Sequence, residues 1–214
     1  MKYQLKYLPL ITGSFLTVLL LSGCALTKDY ISLSYMPQSN VSKVVGADKV
    51  SVNVEVSDVR TIKDKVGAKK NGYGMEMAPI ISQDDVGKTV QNAIEVELKN
   101  RGFHVAPGDI TVVAELSKFY NDFKIGFWAG DAVAEVTMNI QVKNAEGGIV
   151  FSKLIDGQGT NPKIQLASGN NAKVALNAAL NDAVAKLFQE PAFTESLVKS
   201  AKPSNASSKT PGPP

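Results

Sequence analysis

Few residues in this chain are of the types that do chemistry. Its 214 residues include one cysteine, Cys24, and one histidine, His104, which leaves little for metal ligation, thiol catalysis or a histidine-based triad. His104 stands beside Phe103 in a short apolar stretch with no companion ligand, and reads as a packed residue rather than a catalyst. Gly87-Lys88-Thr89 invites a phosphate-loop reading. That motif needs a glycine where Ser82 stands, and Asp84 and Asp85 would repel a phosphate. The two acids read instead as first-turn helix residues that complement the helix dipole. Asp58 and Arg60, two apart at the end of a strand and so on one side of it, read as a structural ion pair. Asp122, Asp131 and Asp156 cannot be assembled into a paired-acid site from their spacing. No catalytic, cofactor-binding or metal-binding residue is assigned, and a non-enzymatic protein is expected.

Cys24 is different. Leu21-Ser22-Gly23-Cys24 match the bacterial lipobox, in which small residues open the bond before a cysteine to the processing peptidase. Upstream lie a positive segment with Lys2 and Lys6 and an apolar run from Leu8 to Leu21, so residues 1–23 read as a signal peptide. Pro9, Thr12 and Gly13 interrupt that run, whereas a spanning helix needs ~20 continuous apolar residues. The resemblance to bacterial lipoproteins implies a mature chain that begins at Cys24, with a diacylglycerol on the thiol and a further acyl chain, such as palmitate, on the new amine. Each buried methylene contributes ~0.8 kcal/mol, so two or three chains hold a protein stably on a membrane. Lipoproteins with an aspartate after the cysteine are the ones that resemble inner-membrane residents, so with Ala25 there the resemblance implies sorting to the outer membrane. A lone acylated cysteine leaves no disulfide, and stability must come from packing.

The elements that would position these residues are legible in the periodicity. Val50, Val52, Val54 and Val56 alternate with polar residues, the pattern of a strand with one buried face. Ser82 and Asp85 resemble a capping box, after which Val86, Val90, Ile94 and Leu98 form a helical stripe that Gly102 ends. Phe103–Val105 and Thr111–Phe123 read as extended. Ala132 to Val142 alternate strictly, and Glu146-Gly147-Gly148 turns the chain into Ile149–Ile155 as a hairpin. Ala172, Leu176, Ala179, Leu180, Ala183 and Leu187 stripe a second helix over Asn171–Phe188, whose alanines predict close docking, and a short helix over Phe193–Val198 follows Pro191. With 44% hydrophobic residues there is enough apolar mass for a core. The expectation is an α+β single domain, an antiparallel sheet with two long helices packed on one face, over residues 49–198. Residues 24–48 are expected to be the lipidated cysteine and a tether, and the Ser- and Pro-rich residues 199–214 a disordered tail.

Three glycine-bearing stretches, Val66–Pro79, Lys124–Asp131 and Asp156–Gly169, read as loops. Tyr73, Met75, Phe127 and Trp128 are the candidate partner-binding residues within them, either as a protein-binding or lipid-binding rim or as plugs at the ends of the core. Lys69 and Lys70 read as a solvated pair, with contact to anionic headgroups as the alternative. The net charge of +3 is small and diffuse, which argues against a nucleic-acid partner.

The lipobox, the strand ending at Asp58 and Arg60, Leu98-Lys99-Asn100-Arg101-Gly102-Phe103, Leu116–Phe123, the Asn171–Phe188 helix and Phe193–Leu197 together resemble the YajG-type bacterial lipoproteins, over roughly Val50 to Leu197. That family is outer-membrane-anchored, periplasm-facing and functionally uncharacterised, so the resemblance implies no catalytic or binding residue. The expected role is an accessory component of the cell envelope that binds another envelope protein and needs no cofactor. A carrier for a lipid or other amphiphile is the alternative and would need a continuous apolar cavity. A cell-wall enzyme ranks behind both, because it should show clustered acids or an activated nucleophile.

Overall fold

The computed structural model describes residues 26–201. In chain order they form β1 (Asp29–Ile31), β2 (Ser51–Asp58), β3 (Lys65–Lys70), β4 (Glu76–Ser82), α1 (Val86–Asn100), β5 (His104–Val105), β6 (Ile110–Lys124), β7 (Gly130–Lys143), β8 (Ile149–Ile164), α2 (Gly169–Gln189) and α3 (Pro191–Ser200). The signal peptide, Cys24 and the tail from residue 202 onward lie outside the described residues.

All eight of these strands join one sheet. β6, β7 and β8 are successive antiparallel neighbours. The other edge of β6 is shared. Its first half pairs with β2, from Val52↔Ile110 to Asp58↔Leu116, and its second half meets β3 at Gly67↔Asn121, both in parallel. β5 lies outside β2, and β4 and then β1 lie outside β3. The α+β class therefore holds, but the sheet is mixed rather than antiparallel. Between β2 and β6 run the β3–β4 hairpin and α1, and a crossover of that length returns the chain parallel.

The apolar alternation read from β2 and β7 is the buried face. Val52, Val54, Ala132, Ala134, Val136, Met138, Ile140 and Val142 are all buried. In β6 the inward residues are Val112, Ala114 and Leu116, then Phe119, Asn121 and Phe123. The parity changes because a register shift between Leu116 and Lys118 inserts one extra residue, and each such residue sends the following side chains to the opposite face. Asn121, at the level where β6 meets β3, is fully buried, and neither polar atom of its side chain is hydrogen-bonded among the described residues.

α1 packs against β2 and β5, and α2 against β8, β7, β6 and β1. The N-cap of α1 is Asp85, whose carboxylate accepts from Lys88 N at 3.0 Å, while Ser82 instead hydrogen-bonds Asp84. Gly102, at φ 97°, ends the helix, with Phe103 N donating to Leu98 O. The close docking expected of α2 is present. A Cβ on Gly157 or Gly159 of β8 would stand 2.3 Å from Ala179 O or 2.1 Å from Ala175 O, so the helix backbone lies directly on the strand. This also explains a difference from the sequence reading. Asp156–Ile164 continue β8 instead of forming a loop, and their glycines make room for a helix rather than for a turn. Val66–Pro79 likewise form most of the β3–β4 hairpin, leaving only a short tip.

The segment expected to be a tether is part of the domain. Asp29–Ile31 pair with Ile80–Ser82. Beyond them Leu33 N donates to Asp84, Ser34 N to Asn177 and Gln38 N to Glu97, and Ala47 is fully buried. Its polar composition concealed this because the chain is held by backbone donors to side-chain acceptors, which leave no apolar period. α3 extends to Ser200 and so takes in the first residues assigned to the tail.

Candidate functional site

Asp58, Arg60, His104, Lys69 and Lys70 each have a structural occupation. Arg60 is bidentate on Asp58, with Nε to Oδ1 at 2.9 Å and Nη2 to Oδ2 at 2.7 Å, and it also donates to Phe119 O and Lys63 O. Burial pushes the Asp58 carboxyl up, but the Arg60 hydrogen bonds and charge outweigh it and hold the group below the usual carboxylate range. His104 is exposed rather than packed, and its Nε2 lies 2.8 Å from Asp48 O. Phe103 alone fills the core at that point. Lys69 is buried on Asp29 at 3.0 Å, and Lys70 pairs with Asp122. Neither is the solvated lysine expected from the sequence, because the loop expected to carry them is a strand in the interior of the sheet.

A cleft of about 450 Å³ lies between the end of β2 and the start of α1. Asp58, Asp64, Asp84, Asp85, Lys63 and Lys88 line it together with Val56 and Val86. One buried ionic network has no counterpart in the sequence reading. Glu97 accepts from Tyr35 Oη at 2.8 Å and Gln38 N at 2.9 Å and pairs with Arg101, whose guanidinium stacks 4.3 Å from the Phe188 ring centroid. Burial and the Glu97 hydrogen bond push the Tyr35 phenol well above its usual range. The i, i+4 spacing of Glu97 and Arg101 was its one visible signal. The network clamps the N-terminal segment to α1 and α2.

The four candidate binding residues all lie on the surface. Tyr73 is 92% exposed, Phe127 91% and Trp128 85%, and Met75 is also exposed. They do not plug the core. The fold gathers them, because β3 and β6 run parallel, so the turn after Lys70 and the turn after Lys124 leave the same end of the sheet. Both tips are shaped to present their side chains. In the first, Asn71 Oδ1 accepts from Tyr73 N and Met75 N, both at 3.0 Å, and Gly74 adopts φ 80°. In the second, a Cβ on Gly126 would stand 2.2 Å from Ala129 O, and the Phe127 and Trp128 rings meet edge to face at 5.0 Å. Below the tips, Tyr120 donates to Glu76 at 3.2 Å, and burial together with that carboxylate pushes its phenol up to about 12.

Residues 37–197 match the profile of a family described as uncharacterized lipoprotein. The chain belongs to that lipoprotein family. The assignment agrees with the YajG-type resemblance read from the sequence. No curated protein sequence matches the chain. Among solved structures, a protein of Xanthomonas campestris is similar with a TM-score of 0.57 at 13% identity, over 80% of this chain and 99% of the other. A minor lipoprotein of Acinetobacter baumannii aligns with a TM-score of 0.44 at 6% identity, over 71% and 97% of the two chains. At such identities the first likeness speaks for the fold alone. Membership of the lipoprotein family indicates an envelope protein held on a membrane. No helix among the described residues is long and apolar enough to cross a bilayer.

Proposed function

We propose that this lipoprotein is held on the outer membrane by acyl chains at Cys24, faces the periplasm, and acts without catalysis as an accessory component of the envelope, by binding. The observation that carries the reading is the apolar rim of Tyr73, Met75, Phe127 and Trp128. It comprises four large side chains set on two shaped turns, whereas Asp58 is held in an ion pair, Asp84 accepts from Leu33 N and Asp85 caps α1. Large exposed apolar groups concentrated at one place mark an interaction surface, and aromatic residues contribute most to association. The carrier alternative would need a continuous apolar cavity, and the cleft beside β2 mixes Val56 and Val86 with six charged residues.

Anchoring is tested by labelling cells with a radioactive fatty acid. The wild-type chain should carry the label and sediment with outer membranes. Cys24→Ser should lose the label and remain as precursor or soluble periplasmic protein. Label retained on the variant would overturn the assignment of Cys24.

A further inference from the structure

The occupant of the aromatic rim can be named from where the chain begins its fold. Register carries one level across the sheet: Asp29 faces Ile80, Ile80 faces Gly67, and Gly67 faces Asn121. From that level, three residues along β3 and β6 lead to Lys70 and Lys124, the last residues before the two tips. β1 runs in the opposite direction to β3, so the chain reaches Asp29 from that same end, through a turn at Leu26 and a bend at Thr27, whose hydroxyl lies 3.5 Å from Lys69 Nζ. Leu26 therefore precedes the sheet on the side of the rim, and it too is exposed. At the same end β8 finishes at Ile164, opposite Gly130, and the exposed Leu166 follows it.

Cys24 precedes Leu26 by two residues, and two residues of fully extended chain span at most about 7 Å. Asp29 is itself fixed by Lys69 and by Gly169 N, which donates to its carboxylate at 2.7 Å, so β1 does not provide slack. We propose that the rim of Leu26, Tyr73, Met75, Phe127, Trp128 and Leu166 docks on the lipid bilayer that holds the Cys24 acyl chains. The docked side chains sit at headgroup level, where tryptophan and tyrosine, each with an apolar ring and a polar edge, are favoured over both water and hydrocarbon. The inference deepens the proposed binding role and rests on acylation of Cys24. A short tether brings these side chains to a membrane, and an envelope protein could reach them only by intruding between the domain and the bilayer. The domain then stands upright on its tips, with the β7–β8 turn at Gly147 directed away from the membrane.

Trp128 is the chain's only tryptophan, so its fluorescence reports the rim directly. The full-length acylated protein is reconstituted into vesicles of phosphatidylethanolamine and phosphatidylglycerol, with and without lipids brominated near the glycerol end of the acyl chain. A blue-shifted emission and a roughly two-fold loss of intensity with the brominated lipid are expected, as for an indole at the interface. Tyr73→Ser combined with Phe127→Ser should weaken both effects while the protein stays on the vesicles. Emission typical of an indole in water, unchanged by brominated lipid, overturns the proposal. So does shielding of Trp128 that occurs in native envelope membranes but not in pure lipid, which identifies a protein partner instead. Flotation and the fatty-acid label separate this from the anchoring reading. A labelled, floating protein with a water-exposed Trp128 retains the anchor and refutes the docking. If the chain is unlabelled, the same quenching measurement on added vesicles still decides whether the rim binds lipid.

Discussion

Asp58 and Arg60 show how a pair that could be mistaken for chemistry holds a strand end. The guanidinium is shared between the Asp58 carboxylate and two backbone carbonyls, of Phe119 and Lys63, so it joins the end of β2 to β6 and to the loop before β3. Truncating either partner would strand a buried charge. The Asp58 carboxyl is held below its ordinary value of 3.8 in the folded protein. Its contribution to stability is therefore fully present above that value and is lost as the pH falls through the lower folded value. Urea titrations across the acid range should show this limb in the wild type and a flatter one in Asp58→Asn, which has no carboxyl to protonate. Equal acid sensitivity in both would place the titrating group elsewhere.

At the scale of elements, the contact between α2 and β8 depends on missing side chains. Gly159→Ala would place a Cβ 2.1 Å from a helix carbonyl, which cannot rotate away, and a loss of about 1–3 kcal/mol is expected from overpacking of this kind. Gly72→Ala, in the β3–β4 tip, meets nothing within 4 Å and should change stability by no more than about 0.5 kcal/mol. Denaturant titration of both variants measures the contrast, and equal losses would mean that the helix does not lie on the strand. The stripes are a second test. Leu98 on α1 and Leu180 on α2 are fully buried, and Leu98→Ala or Leu180→Ala should each cost ~2–5 kcal/mol. A loss below ~1 kcal/mol at both positions would mean that the wrong helix faces have been assigned to the core.

For the whole molecule, the apolar rim and the core are energetically separate. Phe127 and Trp128 meet edge to face and are otherwise exposed, so Phe127→Ser and Trp128→Ser should each leave unfolding within about 0.5 kcal/mol of wild type. Thermal melts followed by circular dichroism check this, and unfolding of either variant would make the tip part of the core after all. The helix stripes, the β2 and β7 alternation and the Gly147 turn were legible in the sequence because each is a local period set by helix or strand geometry and by the demand for one apolar face. Other features depended on residues far apart in the chain. Glycines in β8 that read as loop residues are there to admit α2, and Lys69 is buried because β3 lies between β4 and β6. Tyr73 and Trp128, more than fifty positions apart, share one end of the molecule with Leu26 only because β3 and β6 run parallel while β1 runs against them. Strand order and direction follow from which faces bury together across the whole chain. Composition and spacing therefore singled out Tyr73, Met75, Phe127 and Trp128, and only the tertiary structure brought their two turns to one end of the sheet, where Leu26 and Leu166 also lie exposed.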